Sequence, residues 1–130
     1  MKKVILLLSF VFAFGVSYAA TPQTNDREPY EIYELYPTQN MWTFLKLNTE
    51  TGQIWQVQYY VGNDYSKRCQ VPLNLTPLAT EKKPGRFCLK ETQNMYNLLL
   101  LDKETGDVWQ IQWSMESEKR GIVDEIRKIY

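Results

Sequence analysis

From Met41 to Tyr60 apolar and polar side chains alternate with a period of two, interrupted once by Asn48-Thr49-Glu50-Thr51-Gly52. In the first run Thr43, Leu45 and Leu47 share one face, and Trp42, Phe44, Lys46 and Asn48 share the other. After the interruption Trp55, Val57 and Tyr59 alternate with Ile54, Gln56, Gln58 and Tyr60. Such alternation marks an extended strand, because the helical period of about 3.6 residues would mix the two sets. The interruption reads as a hairpin turn of the type I kind with a glycine bulge. Asn48 accepts local backbone hydrogen bonds there, and Gly52 takes a positive φ that a β-carbon would penalise. Leu45, Leu47, Trp55 and Val57 are therefore expected on the buried face, with the glutamines of the return strand opposite.

The same stretch returns 54 positions later, Gln39–Gln58 as Gln93–Gln112, with eleven of twenty aligned residues identical. Trp42 becomes Tyr96, Asn48 becomes Asp102 and Val57 becomes Ile111, so most exchanges keep the physical type. An internal repeat of this length describes one supersecondary unit used twice. In the second copy Leu99 and Leu101 are expected to face Trp109, Ile111 and Trp113. Leu98 and Leu100 stand where the first copy has Phe44 and Lys46, which makes the outer face of this hairpin more apolar. Such a face is either covered by the rest of the protein or offered to a partner.

The remaining strands follow from shorter signals. Tyr33 and Leu35 alternate with Ile32, Glu34 and Tyr36 and stop at Pro37, and Arg86–Lys90 aligns with this strand. Arg68–Leu73 reads as a strand that Pro72 restricts to an edge or a bulge. Asn74–Gly85, with Pro77 and Pro84, joins the repeats as a loop. The repeat offset makes Ile122–Ile126 the last strand, although Ile122, Ile126 and Ile129 also fit one helical face. The prediction is an all-β fold: two tandem antiparallel meanders of three to four strands, about 31–75 and 85–129, packed as one small barrel or sandwich. Residues 30–130 form a single domain, since each half is too small to hold a core alone.

The segments Leu47–Trp55 and Leu101–Trp109, each an aliphatic strand, a turn ending in Thr-Gly and a returning tryptophan, resemble the hairpins of quinoprotein-like β-propeller blades. The likeness covers two hairpins of nine residues, and no residue matches a quinone site. A propeller needs about four blades or more. The resemblance therefore implies closure only through oligomerisation. The whole pattern is also similar to small exported β-repeat proteins of uncharacterised function, which implies a compartment and a fold class but no activity.

Destination changes the picture at the N-terminus. Lys2 and Lys3 precede the apolar run Val4–Val16, and Ser17-Tyr18-Ala19 supplies small residues at a cleavage site, so residues 1–19 read as a signal peptide. The run is short for a bilayer span of about 20 residues. A periplasmic or secreted protein without a membrane anchor after cleavage is expected, led by a polar, flexible segment over 20–29. Losing the leader leaves 13 basic and 15 acidic side chains, a balance that argues against nucleic acid, which needs clustered excess cations. Export permits a disulfide between Cys69 and Cys88, although in extended phase the two point to opposed faces. Two cysteines without histidine make a poor metal site, and no cofactor motif is present.

The chain contains no histidine, which removes the commonest acid/base at neutral pH. Glu50 and Glu104 sit at hairpin tips, where water keeps carboxylates ionised. No catalytic residue is singled out, and enzyme activity is not expected. The candidate surface is Gln56, Gln58, Gln110 and Gln112 together with Trp42 and Tyr96. Amides hydrogen-bond hydroxyls or peptide groups while flat rings stack on apolar faces. The expected function is an exported, non-enzymatic interaction or structural protein. The alternative is a carbohydrate- or peptide-binding module using this glutamine and aromatic face. A protein or glycan partner, or a second copy of the chain, would fit either.

Overall fold

Every strand anticipated from the alternation is present in the computed structural model, which describes residues 31–129. The leader, residues 1–19, and the segment 20–29 lie outside the described residues. In chain order the strands are β1 (Tyr33–Pro37), β2 (Thr43–Asn48), β3 (Ile54–Gln58), β4 (Cys69–Asn74), β5 (Phe87–Glu91), β6 (Asn97–Asp102), β7 (Val108–Gln112) and β8 (Gly121–Glu125). They form two four-stranded antiparallel meanders, β1-β2-β3-β4 and β5-β6-β7-β8. Helix among the described residues is confined to two 3₁₀ turns, Tyr65–Lys67 and Ser117–Lys119. Ile122 therefore lies in a strand beside β7, and Ile126 and Ile129 lie beyond its end. The sheets do not close into a barrel; they share one core in the manner of a sandwich.

That core joins Leu45, Leu47 and Ile54 of the first sheet to Phe87, Leu89, Leu98, Leu100 and Ile111 of the second, with Trp113 just beyond β7. The two sheets contribute opposite faces of the repeated unit. In the first, Leu45 pairs with Gln56 and Leu47 with Ile54, so Leu45, Leu47, Ile54 and Gln56 point inward together. In the second, Leu98 pairs with Ile111 and Leu100 with Trp109, and this is the face that turns inward. Leu98 and Leu100 correspond to Phe44 and Lys46, which in the first sheet point outward. The units are thus stacked front to back.

This arrangement corrects two expectations. Trp55 and Val57 do not share a face with Leu45 and Leu47, and Leu99 and Leu101 do not face Trp109 and Ile111. The physical reason is the hairpin length. Asn48 N–H donates to the Gln53 carbonyl at 2.9 Å and Gly52 N–H to the Asn48 carbonyl at 3.0 Å, so four residues, 49–52, form the loop. Gly52 has φ of +78°, as expected, yet a loop one residue longer than the type I plus bulge turn reverses which return-strand face meets Leu45. The second hairpin repeats the geometry, with Asp102 N–H on the Asp107 carbonyl and Gly106 N–H on the Asp102 carbonyl.

Polar groups lock the seam where the chain passes from one sheet to the next. Thr49, fully buried, donates from its hydroxyl to the Glu31 carbonyl at 2.9 Å and accepts there from Gly85 N–H at 3.0 Å. Its backbone receives the Phe87 N–H at 2.9 Å, so β5 begins bonded to the tip of the first hairpin. Arg86 forms a two-pronged ion pair with Asp102, Nη2 to Oδ2 at 2.8 Å and Nε to Oδ1 at 3.0 Å. Among the described residues no buried side-chain nitrogen or oxygen lacks a partner.

The disulfide is not formed: Cys69 and Cys88 are both free thiols. Cys69 of β4 pairs with Gln58 of β3 at one end of the first sheet, whereas Cys88 pairs with Leu101 on the outward face of the second. The opposed phases seen in the sequence persist because no bend brings those faces together.

Candidate functional sites at the strand ends

A short polar turn sets the first site. In Thr38-Gln39-Asn40-Met41-Trp42 the Thr38 hydroxyl lies within hydrogen-bond distance of the Thr43 carbonyl, 2.8 Å, and Asn40 Oδ1 accepts from Trp42 N–H at 2.9 Å. Asparagine caps its own turn in this way because its side chain mimics the next peptide group. The second repeat builds the same turn: Thr92 Oγ1 to the Asn97 carbonyl at 2.8 Å, and Tyr96 N–H to Asn94 Oδ1 at 3.0 Å. Each turn presents an aromatic ring, Trp42 or Tyr96, at the mouth of its hairpin.

Around Trp42 lies a cleft of about 640 Å³ lined by Asn40, Gln58, Tyr59, Tyr60, Lys67 and Arg120 among others. The Trp42 ring is 5.4 Å from Tyr59 and 6.2 Å from Tyr60, tilted in both cases. Lys67 Nζ stands 4.6 Å from the centre of the Tyr60 ring. Arg68 holds the wall, donating to the Tyr60 carbonyl at 2.8 Å and the Gly62 carbonyl at 2.9 Å. Arg120 donates to the Ser114 and Met115 carbonyls at 2.7 and 3.0 Å. Lys67, Arg120 and three rings therefore border a cleft whose volume lies in the range of small-molecule sites.

The second repeat carries a counterpart cleft of about 370 Å³, lined by Asn94, Tyr96, Gln112, Trp113, Glu116 and Lys119 among others. Asn94, Tyr96, Gln112 and Trp113 are the repeat equivalents of Asn40, Trp42, Gln58 and Tyr59. Met115 lines both clefts, which places them side by side. Tyr96 packs 5.0 Å from the buried Trp113, whose indole donates to the Met95 carbonyl at 2.7 Å. Glu116 and Lys119 pair at 2.8 Å within one 3₁₀ turn of the lining, and the lysine holds the Glu116 carboxyl below its usual range. The smaller cleft carries two rings where the larger has three, and its charges are engaged with each other, as Lys67 is with Asp64 at 3.8 Å.

Of the residues expected to form one surface, Trp42 and Gln58 meet in the first cleft, and Tyr96 and Gln112 in the second. Gln56 and Gln110 belong to neither lining. Gln56 is 1% exposed and accepts the Ser114 N–H at 3.2 Å, tying the sheets together. Gln110 donates to Asn97 Oδ1 at 2.7 Å on the outward face of the second sheet. The apolar partner face around Leu98 and Leu100 is likewise not available, because these residues are 2% and 0% exposed in the shared core. Tyr60, Lys67 and Arg120 were not foreseen. Tyr60 ends the alternating return strand, whereas Lys67 and Arg120 stand in two separate segments without period, so no spacing joined them.

The titratable groups most displaced from their ordinary range serve the scaffold. Burial would push the Asp102 carboxyl up, but the Arg86 guanidinium and the N–H groups of Glu104 and Thr105 outweigh it and hold it near about 2. Burial raises the Tyr36 hydroxyl, and its hydrogen bond to Glu34 raises it further. Neither side chain lines a strand-end cleft. Among the described residues no cluster of three or more His, Cys, Asp or Glu is placed to hold a metal. No helix among them is long and apolar enough to cross a membrane.

Fold and clefts together define the class: an all-β protein of two stacked four-stranded meanders with paired aromatic clefts at adjoining strand ends. Compared with known protein families, curated proteins and solved structures, the chain matches none.

Proposed function

We propose that the chain is an exported, non-enzymatic interaction protein, periplasmic or secreted, that binds a carbohydrate through the Trp42–Tyr59–Tyr60 cleft. The observation that carries the reading is the duplicated turn that sets an aromatic ring beside a glutamine amide in each repeat. Rings stack on the apolar face of a sugar, and amides with Lys67 address its hydroxyl or acidic groups. The basic leader supports export, and the absence of histidine together with the scaffold role of Asp102 supports binding without chemistry. The blade-like hairpins are consistent with a module that presents ligands at strand ends.

Glycan-array screening followed by tryptophan-fluorescence titration tests the proposal. Trp42→Ala should weaken binding by about tenfold or more while the far-UV circular dichroism spectrum is retained. Tyr96→Ala should have the smaller effect, since its cleft is smaller and lined by two rings rather than three. Binding of peptides in place of glycans, lost in Trp42→Ala, would reassign the ligand class; a titration indifferent to Trp42 would remove the site.

A further inference from the structure

The two broad sheet faces left open are the repeat counterparts of the two that pack together inside the chain. The open face of the first sheet carries Tyr33, Leu35, Phe44, Lys46, Trp55 and Val57. Their equivalents, Phe87, Leu89, Leu98, Leu100, Trp109 and Ile111, form the second sheet's side of the shared core. The open face of the second sheet carries Leu99, Leu101, Val108 and Gln110. Their equivalents, Leu45, Leu47, Ile54 and Gln56, form the first sheet's side. In the first three strands of each sheet, these open-face residues therefore have twins that already pack in the shared core.

The hairpin tips tell the same story. A β-carbon on Gly52 would meet Leu78 at 3.0 Å and Phe87 at 3.2 Å, because the following unit seats against that tip. A β-carbon on Gly106, the equivalent residue, would meet nothing within 4 Å. The open face of the first sheet is also the more apolar and more exposed, with Leu35 at 62% and Tyr33 at 51%. Rings there are arranged as a surface: Tyr33 lies 6.2 Å from Trp55, and Lys46 stands 4.5 Å over the Trp55 ring.

We propose that a second copy of this chain covers the open face, head to tail: the second sheet of one molecule seats on the first sheet of the next. The contact reproduces between molecules the front-to-back stacking that exists within one. It is heterologous, so the surface that gives differs from the surface that receives. Closure into a ring or continuation as a filament then follows from the rotation per unit.

Sedimentation velocity on the protein purified in its exported form tests this. The wild type should associate with rising concentration. Leu35→Arg on the receiving face and Leu101→Glu on the giving face should each weaken self-association by about tenfold or more. Gln110→Arg, at a polar position of the giving face, repeats the second test should Leu101→Glu unfold. An equimolar mixture of a receiving-face and a giving-face variant should form a dimer and stop there, since one intact contact remains between them. Three results would overturn the proposal: a wild type monomeric throughout the micromolar range, a giving-face variant that still dimerises alone through paired first sheets, or a mixture that stays monomeric.

Discussion

Asp102 shows how one exchange between repeats alters the physics of a conserved geometry. Both Asn48 and Asp102 accept from the N–H two residues on, at 2.9 Å in each copy, so the turn needs only an oxygen. The negative charge matters because Arg86, where the first repeat has Ile32, pairs with it at 2% exposure of the carboxylate side chain. The folded carboxyl, held near about 2 against 3.8 ordinarily, contributes stability above the unfolded value that disappears as pH falls through the folded one. That contribution is worth ~2 kcal/mol at neutral pH. Urea midpoints measured downward from pH 5 should therefore fall most between about 4 and about 2, and Asp102→Asn should flatten that part of the profile. Gly62 makes a second prediction at this scale. A β-carbon there would lie 2.5 Å from the Tyr60 ring, so Gly62→Ala should displace that ring. The result expected is weaker ligand binding at the larger cleft with little change in thermal midpoint.

At the scale of elements the two hairpins share one turn in two environments. Gly52 and Gly106 both have φ of +78°, a conformation in which a side chain costs ~1 kcal/mol or more. Only Gly52 is also packed, against Leu78 and Phe87. Gly106→Ala should lose the backbone term alone, and Gly52→Ala should lose ~1 kcal/mol or more beyond it, a difference that urea denaturation of the two variants would read. Legibility at this scale was uneven. The period of two located the hairpin strands, and the repeat offset found β8, whose own pattern also fitted a helix. Pro72 marked β4 as an edge strand, with the register shift at Ile54 and Trp55 in its partner. Facing was misread because both phases of β2 and β3 carry apolar residues, so a loop of four residues and one of three predict opposite pairings. Gln56 deepened the error: an amide reads as solvated until a backbone donor 58 residues away is found for it.

For the whole molecule, the front-to-back stacking makes each sheet the cover of the other. A unit of residues 31–78 prepared alone would expose Leu45, Leu47 and Ile54 in a sheet too small to bury them. Its amide NMR spectrum should lack the dispersion of the intact chain. The aromatic clefts belong to this scale as well. Trp42 and Tyr96 were visible as repeated positions, but the first cleft also draws on Lys67 from a 3₁₀ turn and Arg120 from the far repeat. Neither could be placed by spacing along the chain.

The sequence alone determined what depends on neighbours a few residues apart. This covers the strands, the asparagine and glycine turns, the duplication, and hence an all-β domain of two like units. Tertiary structure alone decided which side of each sheet is dry, that Cys69 and Cys88 stay apart, and that glutamines of identical phase divide between core and cleft. The reason is physical. A strand with apolar residues on both faces has two nearly equivalent ways to be buried, and only the sheet laid against it chooses between them.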